Sequence, residues 1–101
     1  MVRMSFSFTK KEAMKYISHL DLMRLLIRAL RRAEVPVKMT EGFNPHPKLS
    51  MIRALKLGSE SENEEASITL RVTMSPEKFR ESLNRQLPEG IQIKDAQRNI
   101  Y

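Results

Sequence analysis

Strict alternation of apolar and polar residues predicts two long β-strands. Residues 2–9 and 66–74 each place an apolar side chain at every second position, the pattern of a strand with one buried face. Apolar residues at 35–39 and 49–57 predict further strand structure, either as one interrupted strand or as a hairpin. Residues 91–100 begin as a final strand.

Helical spacing of apolar residues predicts two helices. Ser18 begins an S-x-x-D capping box, and the helix that follows is expected to end at about residue 33 or 34. Ser75 caps the second helix, with Pro76 at its first position and Pro88 after its end. The apolar stripe of the first helix is formed by Met23, Leu26, Leu30 and Ala33, and that of the second by Phe79, Leu83 and Leu87.

The predicted order of elements is β-α-β-β-α-β, which indicates an α+β fold of the ferredoxin-like type. Such a fold has an antiparallel sheet with two helices on one face, and residues 1–101 are long enough for one such domain. The other sheet face is then open. Its predicted residues are small or polar: Arg3, Ser5, Ser7, Thr9, Ser67, Thr69, Arg71 and Thr73.

Composition restricts the classes of function. A hydrophobic content of 41% argues against a disordered chain. The chain has no cysteine, which excludes disulfides, thiolate catalysis and cysteine-ligated Fe–S clusters. No apolar run is long enough for a membrane span, and the N-terminus lacks the apolar core of a signal peptide. We therefore expect a cytoplasmic protein without membrane association.

Charge is unevenly distributed along the chain. Its net charge is +6, but residues 1–58 hold 12 Lys and Arg against four Asp and Glu, whereas residues 59–101 hold six against eight. A basic half suits a polyanionic partner, most obviously RNA. The acidic stretch 58–65 is expected to be a solvated hairpin tip without calcium-loop spacing. No metal site or cofactor is predicted. The glutamates of this acidic stretch are Glu60, Glu62, Glu64 and Glu65.

Four arginines of the first helix are predicted to share one face, because they follow one another at i, i+4, i+7 and i+8. They are Arg24, Arg28, Arg31 and Arg32. Such a row could bind successive phosphates, or it could simply be the solvated face of an amphipathic helix. RNA binding by stacking on the sheet is not expected, because Phe6 and Phe8 are in phase with the core.

The segment EGFNPHPKLS, residues 41–50, is predicted to be a stiff corner, because each proline restricts the residue before it. Asn44, His46 and Lys48 are candidate RNA-binding residues together with the arginine row. The predicted topology also places this corner beside the start of the first helix, so His19 and His46 could lie close together. With Lys48, these histidines are weak candidates for catalysis in a metal-independent ribonuclease. Packing and capping roles are favoured for both, and an enzyme is not expected.

Several of these segments together resemble the radical-SAM-linked protein family, a domain of unknown function found alone or fused to radical SAM enzymes. The matching residues are SHLDLMR at 18–24, RALRRA at 28–33, Pro36, GFNPHPKLS at 42–50, and Gly58, Glu60, Ser61 and Glu64. The family region is commonly about twice as long as this chain, so the resemblance implies that residues 1–101 are either its N-terminal half or a short member of the family. Glu65, Ala66 and Ser67 depart from the usual family pattern.

The resemblance implies an accessory role in RNA-related or ribosome-related modification beside a radical SAM enzyme. The chain has no cysteines to hold an iron–sulfur cluster itself. The leading hypothesis is a non-catalytic domain that recognises RNA through the arginine row and the GFNPHPK segment. The second is a protein-interaction module for a radical SAM partner, and the third is the histidine-dependent ribonuclease. The sequence does not indicate an oligomeric state.

Overall fold

The computed structural model describes residues 2–51 and 58–100 as a mixed α/β domain with a four-stranded antiparallel sheet and two α-helices. A short 3₁₀ helix, Glu12–Tyr16, follows the first strand. The strands and helices are β1 (Val2–Lys10), α1 (His19–Arg32), β2 (Leu49–Met51), β3 (Ser61–Leu70), α2 (Pro76–Asn84) and β4 (Ile93–Ile100).

The sheet has the strand order β2-β3-β1-β4, and every neighbouring pair is antiparallel. β1 is a central strand: Val2 lies opposite Leu70 of β3 and Ile100 of β4. Because β1 and β2 both run antiparallel to β3, they run parallel to each other although they do not touch. α1 connects them.

The core lies on one face of the sheet, as the alternation in β1 predicted. Met4, Phe6 and Phe8 are buried there, and the ring of Phe6 packs 5.3 Å from that of Phe79 of α2, measured between centroids. The buried residues of both helices belong to the same cluster. Both helices therefore cover one face and leave most of the polar face open. Thr9 and Thr69, predicted to lie on the open face, are buried instead. The buried residues of α1 are Leu22, Leu26, Ala29 and Leu30.

Both predicted helix starts are confirmed. The Ser18 hydroxyl accepts a hydrogen bond from the Asp21 N–H, and the Ser75 hydroxyl accepts one from the Lys78 N–H. Each bond satisfies an N–H that has no partner within its own helix. Sequence and structure agree here because capping depends only on residues three positions apart.

β3 begins and ends earlier than predicted. The acidic stretch was expected to be a hairpin tip, but its second half is strand from Ser61 onward. β3 ends at Leu70, and Val72, predicted to point inward, is 55% exposed. The backbone of Arg71 still bonds to Pro36, donating its N–H to the Pro36 carbonyl, but the chain then turns toward α2.

At the edge of the sheet beside β3, the structure combines the two predicted alternatives, an interrupted strand and a hairpin. Val37 lies opposite Leu70 as an isolated bridge, and Leu49 lies opposite Ile68 at the start of β2. The two pieces occupy one interrupted edge, and residues 38–48 leave it as a loop between them. Residues 52–57, including the predicted strand continuation at Arg53, lie outside the described residues.

In the part of the chain that the structure describes, no helix is both long enough and apolar enough to cross a bilayer.

Candidate nucleic-acid interface

The arginine row lies on the solvent-facing side of α1. Leu22, Leu26, Ala29 and Leu30 anchor the opposite side of the helix in the core. At 3.6 residues per turn this leaves Arg24, Arg28, Arg31 and Arg32 pointing away from the sheet, and all four are exposed. The predicted common face is thus confirmed.

Little negative charge compensates the row. Arg24 contacts Asp21, with 3.5 Å between a guanidinium nitrogen and a carboxylate oxygen, and both side chains are 62% exposed. A surface pair of this kind holds its partners only loosely, at about 0–1 kcal/mol. In residues 2–51 and 58–100 the side chains of the other three arginines have no hydrogen-bond or ion-pair partner. Their charges remain available to an anion.

A groove between the two helices adds an arginine that the sequence reasoning missed. Arg28 and Arg32 line one wall of a cleft of about 410 Å³, and Arg85, at the C-terminal end of α2, lines the other with Gln86. Three arginines thus line one concave surface. Arg85 lies more than 50 positions from the row, and no local pattern joins them; only the packing of α2 beside α1 does.

The loop of residues 38–48 is closed at its base by backbone contacts. The Thr40 N–H donates to the His46 carbonyl at 2.7 Å, and the His46 N–H donates to the Thr40 hydroxyl at 3.1 Å. One step closer to the sheet, Met39 and Pro47 form an antiparallel bridge. The expected stiff corner is therefore a narrow hairpin-like loop braced across its neck.

Most side chains of this loop are exposed to solvent. Asn44, His46 and Lys48 are all exposed, which allows the contacts predicted for them without showing any partner. His46 directs its Nδ1 to the Pro47 carbonyl at 3.2 Å. Phe43, which the sequence reasoning did not select, is completely exposed. Its apolar ring in a polar loop is the sequence signal that could have identified it.

The loop does not lie beside the start of α1, and that prediction is wrong. It leaves and rejoins the sheet edge opposite Leu70 and Ile68, which pair with the first residues of β1. The start of α1 instead follows the last residues of β1. The base of the loop lines a cleft with Ile27 and Arg31, in the last two turns of α1. The prediction failed because it placed the loop after the strand rather than within it.

His19 and His46 consequently lie toward opposite ends of α1. His19 begins the helix and is partly buried, and its Nδ1 is a buried atom that has no hydrogen-bond partner among the described residues. His46 lies at the loop neck, beside the last two turns of the helix. The acid–base pair that a histidine-dependent ribonuclease requires is not assembled by this arrangement.

The acidic stretch is held by contacts with the 3₁₀ segment. Glu62 pairs with Lys11, and Glu60 accepts a hydrogen bond from the Glu12 N–H at 2.8 Å. The hydrogen bond from Lys11 lowers the pKa of the Glu62 carboxyl, and the same bond raises the pKa of Lys11. Among the described residues no group of three His, Asp or Glu side chains is arranged to hold a metal ion.

The open face of the sheet is a broad polar hollow of about 740 Å³. Its floor carries serine hydroxyls, and Glu65 and Asp95 lie on either side of Ser7 in one row across three strands. Phe6 and Phe8 face the core, as predicted, so within residues 2–51 and 58–100 this face offers no aromatic side chain for base stacking. Arg3 also lines this hollow, so its two carboxylates are opposed by one guanidinium. The hollow therefore attracts a polyanion less than the arginine row does.

Comparison with known proteins gives a family. No curated protein matches the chain. A family model described as an uncharacterized protein conserved in bacteria, DUF2344, matches residues 3–99, which is nearly the whole chain. The chain therefore belongs to the DUF2344 family.

Proposed function

We propose that this protein is a non-catalytic, cytoplasmic accessory domain that recognises RNA on behalf of a radical SAM enzyme. The observation that carries the proposal is the exposed arginine row of α1, which is extended by Arg85 across the inter-helix groove. Guanidinium groups suit this task because they offer several fixed N–H donors to phosphate oxygens. The enzyme partner rests on the resemblance of SHLDLMR and GFNPHPKLS to radical-SAM-linked proteins.

We assign the fold to the ferredoxin-like class. Support comes from β3 lying between the parallel strands β1 and β2, which is the split βαβ arrangement, and from both helices lying on one face. In this assignment the RNA lies on the helical side of the domain. The open sheet face, used by many RNA-recognition domains of the same class, here holds Glu65 and Asp95 against a single arginine, Arg3.

Salt-dependent RNA binding tests the proposal. We expect the wild-type protein to bind a mixed-sequence RNA at about 50 mM salt and to lose affinity steeply by about 200 mM, because phosphate contacts release counterions. Substituting Arg28→Gln and Arg32→Gln together removes two of these contacts. The slope of log affinity against log salt should then become shallower by about two.

The matched control is a double substitution on α2, Lys78→Gln with Arg80→Gln, which removes the same net charge from two exposed positions outside the groove. Its salt slope should remain close to that of the wild type. No detectable RNA binding at low salt, or equal losses in both double variants, would contradict the proposal.

A second function, docking onto a radical SAM protein without RNA, is favoured by one separate observation. A cleft of about 290 Å³ beside the loop is lined mainly by apolar side chains, the usual lining of a binding pocket. A Met39→Asp substitution would place a charge in this cleft. Loss of co-purification with a radical SAM enzyme in this variant, combined with unchanged RNA affinity, would assign the cleft to the protein partner.

A further inference from the structure

Phe43 lies at the tip of the loop with its whole side chain in water, at 103% of the reference exposure. A large apolar ring normally contributes to folding by being buried, and this one contributes nothing of that kind. The exposed ring therefore points to a use outside the fold.

The loop holds Phe43 in a restricted position. Two hydrogen bonds between Thr40 and His46 and the bridge between Met39 and Pro47 close the neck. Pro45 and Pro47 fix their own backbone φ angles and restrict the residues before them. These contacts limit the backbone freedom of the neck and of residues 44–47, which reduces the entropy lost there when the ring contacts a ligand.

The arms of the loop and the cleft at its base carry more basic than acidic residues. Lys38 and Lys48 lie on the two arms of the loop, and Arg31 and Arg71 line the cleft at its base. Glu41 is the acidic residue within the loop. Proteins that bind single-stranded nucleic acid combine exposed aromatic rings, on which bases stack, with basic side chains along the path of the phosphates.

We propose that Phe43 is a stacking platform for an unpaired base, and that the RNA recognised by this domain is therefore single-stranded at this point. The inference rests on the proposed RNA-binding function and narrows its substrate class. A base within a duplex is stacked on its neighbours and paired, so it cannot offer its face to the loop. The phosphates beside the unpaired base lie toward Lys48 and Arg31.

The test compares two probes, an oligouridine of about 12 nucleotides and a duplex RNA of the same length. Phe43→Ala should weaken binding of the oligouridine by about 5-fold to 150-fold, the size of one base–aromatic stacking contact. Phe43→Tyr should keep wild-type affinity. Duplex affinity should change little in either variant. Fluorescence anisotropy at one fixed salt concentration measures the affinity of the wild type and of each variant for each probe.

Two further variants separate base stacking from a general apolar contact. Tyr16→Ala removes an exposed aromatic side chain near the start of α1, away from the loop, and should leave oligouridine binding unchanged. Phe43→Leu keeps an apolar side chain but loses the flat π face, and it should bind oligouridine as weakly as Phe43→Ala. Wild-type affinity in Phe43→Leu would overturn stacking and indicate an apolar protein contact instead.

The outcomes distinguish a failure of the stacking inference from a failure of the proposed RNA-binding function. If the arginine double variant weakens RNA binding while Phe43→Ala does not, the stacking inference is overturned and the proposed function stands. If the wild-type protein binds neither probe at low salt, both are overturned. Single-strand preference that is lost in Phe43→Ala supports both.

Discussion

At the scale of single residues, two positions require glycine for different physical reasons. Gly42 and Gly90 both have positive φ angles, of 119° and 97°. A Cβ at Gly90 would lie 2.4 Å from the Lys11 carbonyl oxygen and 3.1 Å from Cγ of Met14. A Cβ at Gly42 would meet nothing within 4 Å. Gly90 is therefore fixed by conformation and by packing, and Gly42 by conformation alone.

We predict that Gly90→Ala destabilises the domain by about 3 kcal/mol or more, because backbone strain is added to a clash with the 3₁₀ segment. Gly42→Ala should cost about 1–2 kcal/mol, from strain alone. Urea unfolding of both variants measures the difference in free energy. Equal costs at the two positions would mean that the 3₁₀ segment moves aside without penalty.

At the scale of elements, one side chain joins the end of α2 to the start of β4. The Asn84 carboxamide accepts a hydrogen bond from the Ile93 N–H at 2.7 Å and donates one to the Ile93 carbonyl at 3.1 Å. The amide thus takes the place of a neighbouring strand for one residue. Because Ile93 is fully buried, these backbone groups have little access to water as an alternative partner.

We predict that Asn84→Ala destabilises the domain by about 1–3 kcal/mol, since it leaves a buried N–H and carbonyl without partners. The control is Ser82→Ala on the same helix, where the lost hydroxyl only bonds to the Lys78 carbonyl one turn earlier. That change should stay within about 0.5 kcal/mol. Hydrogen exchange of the Ile93 amide should accelerate in the first variant and not in the second.

The elements that the sequence predicted well are those whose cause is local. The alternation in β1 and the Ser18 cap of α1 depend on residues a few positions apart, so a single pattern specifies them. The edge of the sheet was different: Val37 and Leu49 are brought into line by β3, far along the chain. No local pattern shows which of two short apolar segments pairs with a distant strand.

At the scale of the whole molecule, pH affects stability through the contact between the 3₁₀ segment and β3. The hydrogen bond with Lys11 lowers the pKa of Glu62 below its ordinary value of 4.5. The stabilisation is present above that value and is lost as pH falls through the lowered pKa of the folded state. The raised pKa of Lys11 acts at the alkaline end, where stabilisation is lost as pH rises through it.

We predict that Glu62→Gln is less stable than the wild type at about pH 7 and that the difference shrinks toward zero as pH falls below the lowered pKa of Glu62, where both chains lack the charge. The effect is small because both side chains are solvent-exposed. Midpoints of urea unfolding across this range measure it, with the exposed Glu89→Gln as a control for net charge. A difference that is independent of pH would show that the ion pair is not its source.

The candidate site could be predicted only in part, because, as for the fold, a sequence pattern shows local features and not the packing of distant segments. Helical spacing placed four arginines on one face of α1, and the structure agrees. Arg85 could not be added from sequence, because its place opposite Arg28 and Arg32 follows from how two helices pack. The expected meeting of His19 and His46 failed because a strand can be interrupted partway along its length, which no local pattern indicated.

That interruption has a consequence for how this domain is built. Lys38 donates its N–H to the Thr69 carbonyl, while the Thr69 N–H donates to the carbonyl of Lys48, so two residues share one place opposite Thr69. If residues 39–48 were excised, Lys38 would be followed directly by Leu49, opposite Thr69 and then Ile68, and the edge strand would continue without a shift in register. The segment that carries Phe43, Asn44, His46 and Lys48 is, in architectural terms, an insertion that the sheet itself does not require.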